Sequence, residues 1–301
     1  MGDNSSNYIT FVFHLEVNDL IQVGLIVNKT KPKAWIIARQ LIGSLEQRGI
    51  SVMIDQVVAE QLGRSDLAIN SDEIPKYADM VFVLGGDGTL LGIAREYAPY
   101  NIPILGINAG HMGFLAESEP EDLEYALDKI IAKEYYIEDR MMLEAKVLRH
   151  DKVIKQFIAL NDVGIAKGTF SRMIEVVMYL EDKFLGSFKG DGLILASPTG
   201  STAYSLSAGG PIVTPDIDSI LLTPICPHSL SMRPMVVSAN TTIRTKINAS
   251  HNDIGLTVDG QLGFKLEIDD SVTVKKSNYV TKLIRWNEHN FFEVVRRKLH
   301  N

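Results

Sequence analysis

The sequence predicts an N-terminal α/β domain on a parallel sheet, followed by a mostly β domain. Three observations predict it. Short apolar runs alternate with helix-patterned stretches from Ile21 to Ile131, an order that builds a parallel sheet covered on both faces, Rossmann-like in plan. Near Glu138 the texture changes to β-rich runs divided by Gly, Asn, Asp and Pro. The 301 residues, 46% apolar and 22% charged, suffice for two ordinary domains and are too apolar for a disordered chain. The expected division is 1–138, 139–285, and a C-terminal helix in 286–301 that packs back on the first domain.

The elements follow in order. Ile21 to Val27 is a β-branched run fit for a buried strand. Lys33 to Arg48 places Ala34, Ile37, Ala38, Leu41, Ile42 and Leu45 at helical spacing, and Gly49 follows where a helix C-terminal glycine is common. Ile50 to Ile54 and Met80 to Leu84 read as further strands, the latter running into Gly85-Gly86-Asp87-Gly88-Thr89. A short helix, Leu90 to Tyr97, then a strand, Ile104 to Ile107, lead to the glycine-bearing loop Asn108 to Gly113. Pro120 to Ile131 begins with proline and acidic residues, as a helix N-terminus favours. Beyond it, Leu143 to Leu148, Ile174 to Leu180, Leu193 to Ala196, Met235 to Val237, Thr242 to Ile247 and Gly255 to Val258 read as strands. Asp191-Gly192 and Asp259-Gly260 read as hairpin turns, and Phe291 to Leu299 as a helix.

Composition excludes several classes. The net charge of −7 argues against a nucleic-acid partner. The one cysteine, Cys226, excludes an internal disulfide framework and a cysteine-based zinc site, and the seven histidines show no metal-ligand spacing. No window supplies the ~18 apolar residues of a membrane span, and Met1 to Leu20 has no basic residue before an apolar stretch, unlike a secretory signal. Met1-Gly2-Asp3-Asn4-Ser5-Ser6 fits the loose myristoylation pattern, but a polar, frayed start is the plainer reading. The expectation is a cytoplasmic protein with no membrane partner.

Gly85-Gly86-Asp87-Gly88-Thr89 sits at the carboxyl end of a parallel strand, where open α/β sheets bind ligands. Its glycines, Gly85, Gly86 and Gly88, expose backbone N–H groups to a phosphate, and the following helix adds its positive end. Thr89 is placed to cap that helix. Asp87 would repel a phosphate, so it reads as a base facing a hydroxyl or as a group holding a metal ion on the phosphates. A plain tight turn is the alternative, and the strand before and helix after disfavour it. Gly-x-Gly-x-x-Gly and the P-loop pattern are both missing at this loop. A second block, Ser197-Pro198-Thr199-Gly200-Ser201-Thr202-Ala203-Tyr204-Ser205-Leu206-Ser207-Ala208-Gly209-Gly210, joins many hydrogen-bonding groups to little bulk, which suits a wall against a ribose, phosphate or base.

With these two blocks the sequence closely resembles the NAD kinase family. Asn161-Asp162 lies between them, Leu222-Thr223-Pro224-Ile225-Cys226-Pro227-His228 after them, and Val258-Asp259-Gly260-Gln261 later, in the family's order from about Ile21 to Trp286. The glycine loop alone is shared with lipid kinases and phosphofructokinases; the second block is specific. One departure is visible: the family commonly has Asn-Glu where this chain has Asn161-Asp162, one methylene shorter.

The resemblance implies transfer of the γ-phosphoryl group of ATP to the 2′-hydroxyl of the adenosine ribose of NAD, with a divalent cation, Mg²⁺, arriving on the ATP phosphates and no metal ligand assigned on the protein. It implies that Asp87 accepts the hydroxyl proton and that Gly85, Gly86, Gly88 and Thr89 form the phosphate loop. Asp87 and Gly88 would also face NAD, with Asn161 and Asp162 holding its sugar or base. Arg172, Lys189 and Asp191 fall where the family lines the dinucleotide site. Thr199, Thr202, Ala203, Tyr204, Ser205, Leu206 and Ser207 would contact the adenine and nicotinamide portions, and Gln261 would add a polar contact. Taken alone, Arg172 and Lys189 read as solvated charges and Gln261 as a hairpin residue. Lys29 is a candidate for an ATP phosphate, although loop lysines are usually solvated. The family is often dimeric or tetrameric, so a homo-oligomer whose neighbouring subunits complete the site is expected.

Three other readings compete. A diacylglycerol-type lipid kinase needs an apolar cleft, against the polar block 197–210. A non-catalytic dinucleotide sensor would dispense with Asp87. A phosphofructokinase needs a basic sugar-phosphate site, for which no residues stand out.

Overall fold

The computed structural model describes residues 21–110, 113–169, 171–229 and 232–299. The segment 1–20, with its Met1-Gly2 pattern, lies outside them, as do 111–112 of the glycine-bearing loop.

The first part alternates as its hydrophobic periodicity predicts. Its elements are β1 (Gln22–Val27), α1 (Pro32–Gln47), β2 (Ser51–Asp55), α2 (Gln56–Leu62), β3 (Ala68–Ile69), α3 (Ile74–Tyr77), β4 (Met80–Gly85), α4 (Asp87–Tyr97), β5 (Pro103–Asn108) and α5 (Leu123–Ala132). The six α1 residues at helical spacing are the six it buries. Gly49 follows in the left-handed region at φ +71°. Asp55 caps α2 by accepting from the Val57 and Val58 amides. The strands pair in parallel in the order β3-β2-β1-β4-β5. Because strand side chains alternate faces, β4 sends Phe82 and Leu84 into one apolar cluster with α1 and α5, and Val81 and Val83 into another with α4.

The second part is mostly antiparallel. It runs through β6 (Tyr135–Arg149), β7 (Lys152–Ala159), β8 (Asp162–Lys167), β9 (Ile174–Leu180), β10 (Lys183–Gly190), β11 (Gly192–Ala196), the short α6 (Tyr204–Ser207), β12 (Ser219–Ile225), β13 (Met235–Ser238), β14 (Ile243–Asn248), β15 (Ile254–Val258), β16 (Leu262–Leu266) and β17 (Ser271–Trp286), then α7 (Phe291–Leu299). A six-stranded sheet, β13-β12-β11-β8-β15-β16, packs on strands β6, β9, β14 and β17 across one apolar cluster that includes Leu143, Val163, Val176, Leu193 and Val274.

β17 joins the two parts. It pairs antiparallel with β6 and β14, and its end pairs in parallel with β5 through Lys282↔Pro103 and Leu283↔Ile104. The parallel sheet thus continues into the second part. Residues just after β17 return to the first part through Glu288–Lys129 at 3.1 Å and His289–Glu117 at 2.8 Å, whereas α7 itself buries no residue.

Of the two expected hairpin turns, one is corrected and one is found. Asp191-Gly192 is not a hairpin turn: β10 and β11 belong to different sheets, and Asp191 is the crossing between them. Asp259-Gly260 is a hairpin turn, with φ of +50° and +64° and Gln261 N donating to Val258 O at 3.0 Å, the geometry whose twist matches the flanking strands.

Because β17 belongs to both parts, Leu283→Ala, which opens a cavity at a 2%-exposed position, should cost about 2–5 kcal/mol. Chemical denaturation should show one transition that shifts as a whole. Two transitions, only one of them displaced, would contradict the shared strand.

Candidate active site

β4 is buried throughout, so the chain must turn at its end, and it does so on glycine. A Cβ at Gly85 would stand 2.5 Å from Thr89 Oγ1. Gly86 is the N-cap of α4, and the helix starts at Asp87, three residues before the predicted Leu90. Thr89 therefore does not cap the helix. It lies inside the first turn, where its Oγ1 accepts from Asn28 Nδ2 at 2.7 Å. The helix start, with its backbone N–H groups, opens on a concavity lined by Asn28, Lys31, Gly86, Gly88 and Thr89. The lysine there is Lys31: its Nζ lies 3.1 Å from where a Gly86 Cβ would be and 3.5 Å from that of Gly110. Lys29 instead pairs with Asp55 at 3.0 Å. Lys31 carries no sequence signal beyond its place in the loop after the first strand.

Asp87, half-buried, is aimed by the loop after β5. Its Oδ2 accepts from the Phe114 amide at 2.8 Å and its Oδ1 from the Leu115 amide at 3.2 Å. A Cβ on Gly113 would fall 1.8 Å from Asp87 Oδ1, so only glycine admits the carboxylate this close.

The hairpin turn of β15 and β16 supplies the next constraint. Asp259 Oδ1 accepts from the Asn161 and Asp162 amides at 2.7 and 3.0 Å, and its Oδ2 from the Leu160 amide at 3.1 Å and Arg95 Nη1 at 2.7 Å. Arg95 stands on α4 and also donates to Gln261 Oε1 at 2.6 Å, while Gln261 Nε2 donates to Gly88 O at 2.7 Å. The helix that begins with Asp87 is therefore tied to the residues that carry Asn161 and Asp162. Asp162 is 2% exposed, and its Oδ2 has no hydrogen-bond partner among the described residues. Burial, and then the negative charge of Asp259, push its carboxyl up to about 7, so it is largely neutral under mildly acidic conditions and can donate.

The block from Ser197 packs against the same place. Ser197 Oγ donates to Leu160 O, and a Cβ on Gly200 would lie 2.1 Å from Asn161 O. Thr199 is buried and accepts from Arg140 Nη1 at 3.4 Å. Thr202, Ala203 and Leu206 are partly buried, Ser207 is exposed, and Tyr204, 61% exposed, stands over the turn, 2.7 Å from where a Gly260 Cβ would be. Ser205 differs: its buried hydroxyl pairs with Thr223 Oγ1 at 2.8 Å and faces the interior.

Asp87, Gly88, Asn161, Asp162, Thr199, Thr202 to Ser207 and Gln261 are thus brought together. Arg172, Lys189 and Asp191 are not with them. Asp162 pairs with Ala196 at one end of β11, whereas Asp191 precedes Gly192 at the other, a strand length of roughly 17 Å away. There Asp191 faces Lys167 at 3.6 Å, Lys189 is exposed, and the Arg172 carbonyl meets His251 Nε2 at 2.8 Å.

Among the described residues no three His, Cys, Asp or Glu side chains gather as a metal site, and no helix is long and apolar enough to cross a membrane.

Comparison with known proteins finds a family and a fold. The profile of the ATP-NAD kinase N-terminal domain matches residues 23–135, and that of the ATP-NAD kinase C-terminal domain matches 160–286. The NAD kinase of Natranaerobius thermophilus is 45% identical over 277 residues, 92% of this chain and 97% of the relative. That of Caldanaerobacter subterraneus subsp. tengcongensis is 44% identical over 278 residues, 92% of this chain and 98% of the relative. The yeast NADH kinase complexed with NADH superposes at a TM-score of 0.86 with 26% identity, over 94% of this chain and 89% of its own. An Archaeoglobus fulgidus NAD kinase in complex with ATP shares the fold at a TM-score of 0.72 with 24% identity, over 93% and 99%.

Asp162 makes stability depend on pH. Between about 4, its unfolded value, and about 7 the folded chain holds a proton that the unfolded chain has lost, so this contribution falls as pH rises through the window. Asp162→Asn removes the titration. Relative to wild type it should gain stability between about pH 5 and pH 8, read from urea midpoints. An unchanged difference at the two pH values would place the ionisation elsewhere.

Proposed function

This chain belongs to the ATP-NAD kinase family, and on that premise we propose that it transfers the γ-phosphoryl group of ATP to the 2′-hydroxyl of the adenosine ribose of NAD. The observation that carries the proposal is the Asp87 carboxylate, held by two backbone amides beside the glycine-lined concavity that Lys31 overhangs. A carboxylate fixed there, next to N–H groups facing outward, suits a base for a hydroxyl that attacks a phosphate.

Each group has a role in this reading. The helix start at Gly86, Asp87 and Gly88 and the Lys31 ammonium bind the ATP phosphates, with Thr89 held behind them by Asn28. Lys31 neutralises charge that gathers on the transferring group. Asn161 and Asp162 hold the ribose and base of NAD; the buried Asp162 carboxyl donates when protonated, below about pH 7, and its backbone is anchored on Asp259. Thr199 and the stretch Thr202 to Ser207 form the wall, with Tyr204 offering its ring to a base and Ser205 acting through its backbone. Asp87 takes the proton from the 2′-hydroxyl late in the transfer, on a lone pair that the Phe114 and Leu115 amides leave open. The divalent cation comes with ATP as part of the substrate, and no protein ligand set is proposed for it.

Arg172, Lys189 and Asp191 are proposed to line the dinucleotide site of a neighbouring subunit, since they lie at the far end of β11 from Asp162. A homodimer or homotetramer is part of the same proposal. The domain division proposed is 1–138, 139–285 and 286–301. The polar wall disfavours an acyl substrate, and the retained Asp87 disfavours a sensor that binds without turnover.

Purified protein with ATP, Mg²⁺ and NAD should form NADP, followed with an NADP-specific dehydrogenase. Asp87→Asn should lower kcat at least about 100-fold while NAD still binds. Lys31→Ala should raise KM for ATP about tenfold and leave KM for NAD in place. Equal rates for wild type and Asp87→Asn would remove the proton-acceptor role. NAD binding without NADP from any donor would favour the sensor, and no NAD binding would send the search to lipids.

A further inference from the structure

Behind the site lies a buried cluster of charge that substrate contacts do not account for. Arg285, on β17, is 0% exposed. Its Nε donates to Glu138 Oε2 at 2.8 Å, and its Nη1 to Glu117 Oε2 at 2.8 Å and to the Leu115 carbonyl at 3.1 Å. Glu138 Oε2 also accepts from Arg140 Nη2 at 2.7 Å, and Arg140 reaches Thr199. Glu117 is engaged further by the Trp286 amide at 2.9 Å and by His289 Nδ1 at 2.8 Å. Two arginines and two glutamates are thereby compensated inside the protein.

Stability alone does not call for such a cluster, because apolar residues of similar volume often serve as well or better. Its geometry points to the catalytic carboxylate instead. Both peptide groups that flank Leu115 are bonded: its N–H holds Asp87 Oδ1, and its C=O is held by Arg285. Downstream, the Glu117 and Ser118 amides tie the same loop to Gly106 O at 2.9 and 3.2 Å. The cluster is thus a rigid rear support for the two amides that aim Asp87.

We infer that Arg285 is a positioning residue for phosphoryl transfer, acting through the Leu115 peptide on the orientation of Asp87. The inference rests on the reading of Asp87 as proton acceptor. Without the guanidinium the Leu115 carbonyl loses its partner, the 115–116 peptide turns, the Leu115 amide on the other side of the same Cα shifts with it, and the carboxylate swings off line. Glu138 keeps Arg140, and Arg140 its contact with Thr199, so the groups proposed to bind NAD and ATP stay where they are. A displacement of about 1 Å at reacting atoms is worth roughly 100-fold in rate.

Arg285→Met removes the charge, and Arg285→Lys keeps a cation that can still reach one acceptor. Both are measured for kcat, for KM toward NAD and ATP, and for amide hydrogen exchange, with Asp87→Asn alongside. We expect kcat to fall about 10- to 100-fold in the methionine variant and less in the lysine variant. Each KM should stay within about twofold, and the Phe114 and Leu115 amides should exchange at least about tenfold faster while those of β4 keep their protection. A wild-type kcat in either folded variant overturns the inference, as does a kcat loss with exchange at 114–115 unchanged, or a rise in KM with kcat intact. If Arg285→Met does not fold, the lysine variant decides by the same criteria. A wild-type kcat in Asp87→Asn removes the base reading and the inference together; an inactive Asp87→Asn beside fully active Arg285 variants removes the inference alone.

Discussion

The Asp259 carboxylate is the point on which the site depends. It is fully buried and accepts from three consecutive amides, those of Leu160, Asn161 and Asp162, and from the Arg95 guanidinium. An ionised acceptor forms hydrogen bonds roughly twice as strong as a neutral one. Taking away either member of such a buried pair leaves the other uncompensated, a loss of about 3–5 kcal/mol. The position is possible because the turn takes two left-handed residues, Asp259 and Gly260, and so points a side chain inward from a hairpin tip. Three separate stretches of chain meet there: the β15–β16 turn, the entry to β8, and the helix that begins with Asp87.

β17 plays the corresponding part at the level of the fold. Apolar packing lies to either side of it, in the clusters around the parallel strands and between the two sheets. Along the seam the chain uses charge instead, with Arg285 set between Glu117 and Glu138, and Glu138 between Arg285 and Arg140. Apolar contacts are non-directional and tolerate small shifts. Charged hydrogen bonds are directional and fix where a loop presents its amides. The loop at Leu115, whose amide meets Asp87, is backed by guanidinium rather than by leucine.

Much of this was legible in the sequence where the physics is local. The α1 face was readable because six apolar residues recur at helical spacing, and β4 because an unbroken apolar run ends in glycine. The glycine loop, the block from Ser197 and Asn161-Asp162 stood out by composition and order, and their resemblance to a family named residues most of which the fold brings together. What escaped was long-range. Asp259 reads as a turn residue, and only the fold puts it against amides 97 to 99 positions away. Arg95 and Arg285 look like ordinary charges, since their partners lie 164 and 170 residues off. Asp191-Gly192 has hairpin composition, yet the chain there changes sheets. Lys29 and Lys31 are indistinguishable by spacing; Asp55, at the end of β2, draws the first away.

The most direct test is a double-mutant cycle between Arg95 and Asp259, read as NAD affinity by titration calorimetry. If the buried carboxylate links the Asp87 helix to Asn161 and Asp162, Arg95→Met and Asp259→Asn each weaken NAD binding at least about tenfold. The double variant then binds no worse than Asp259→Asn, because both changes break one unit. Additive losses, or an NAD affinity that neither change alters, would show that the two halves of the site are positioned independently.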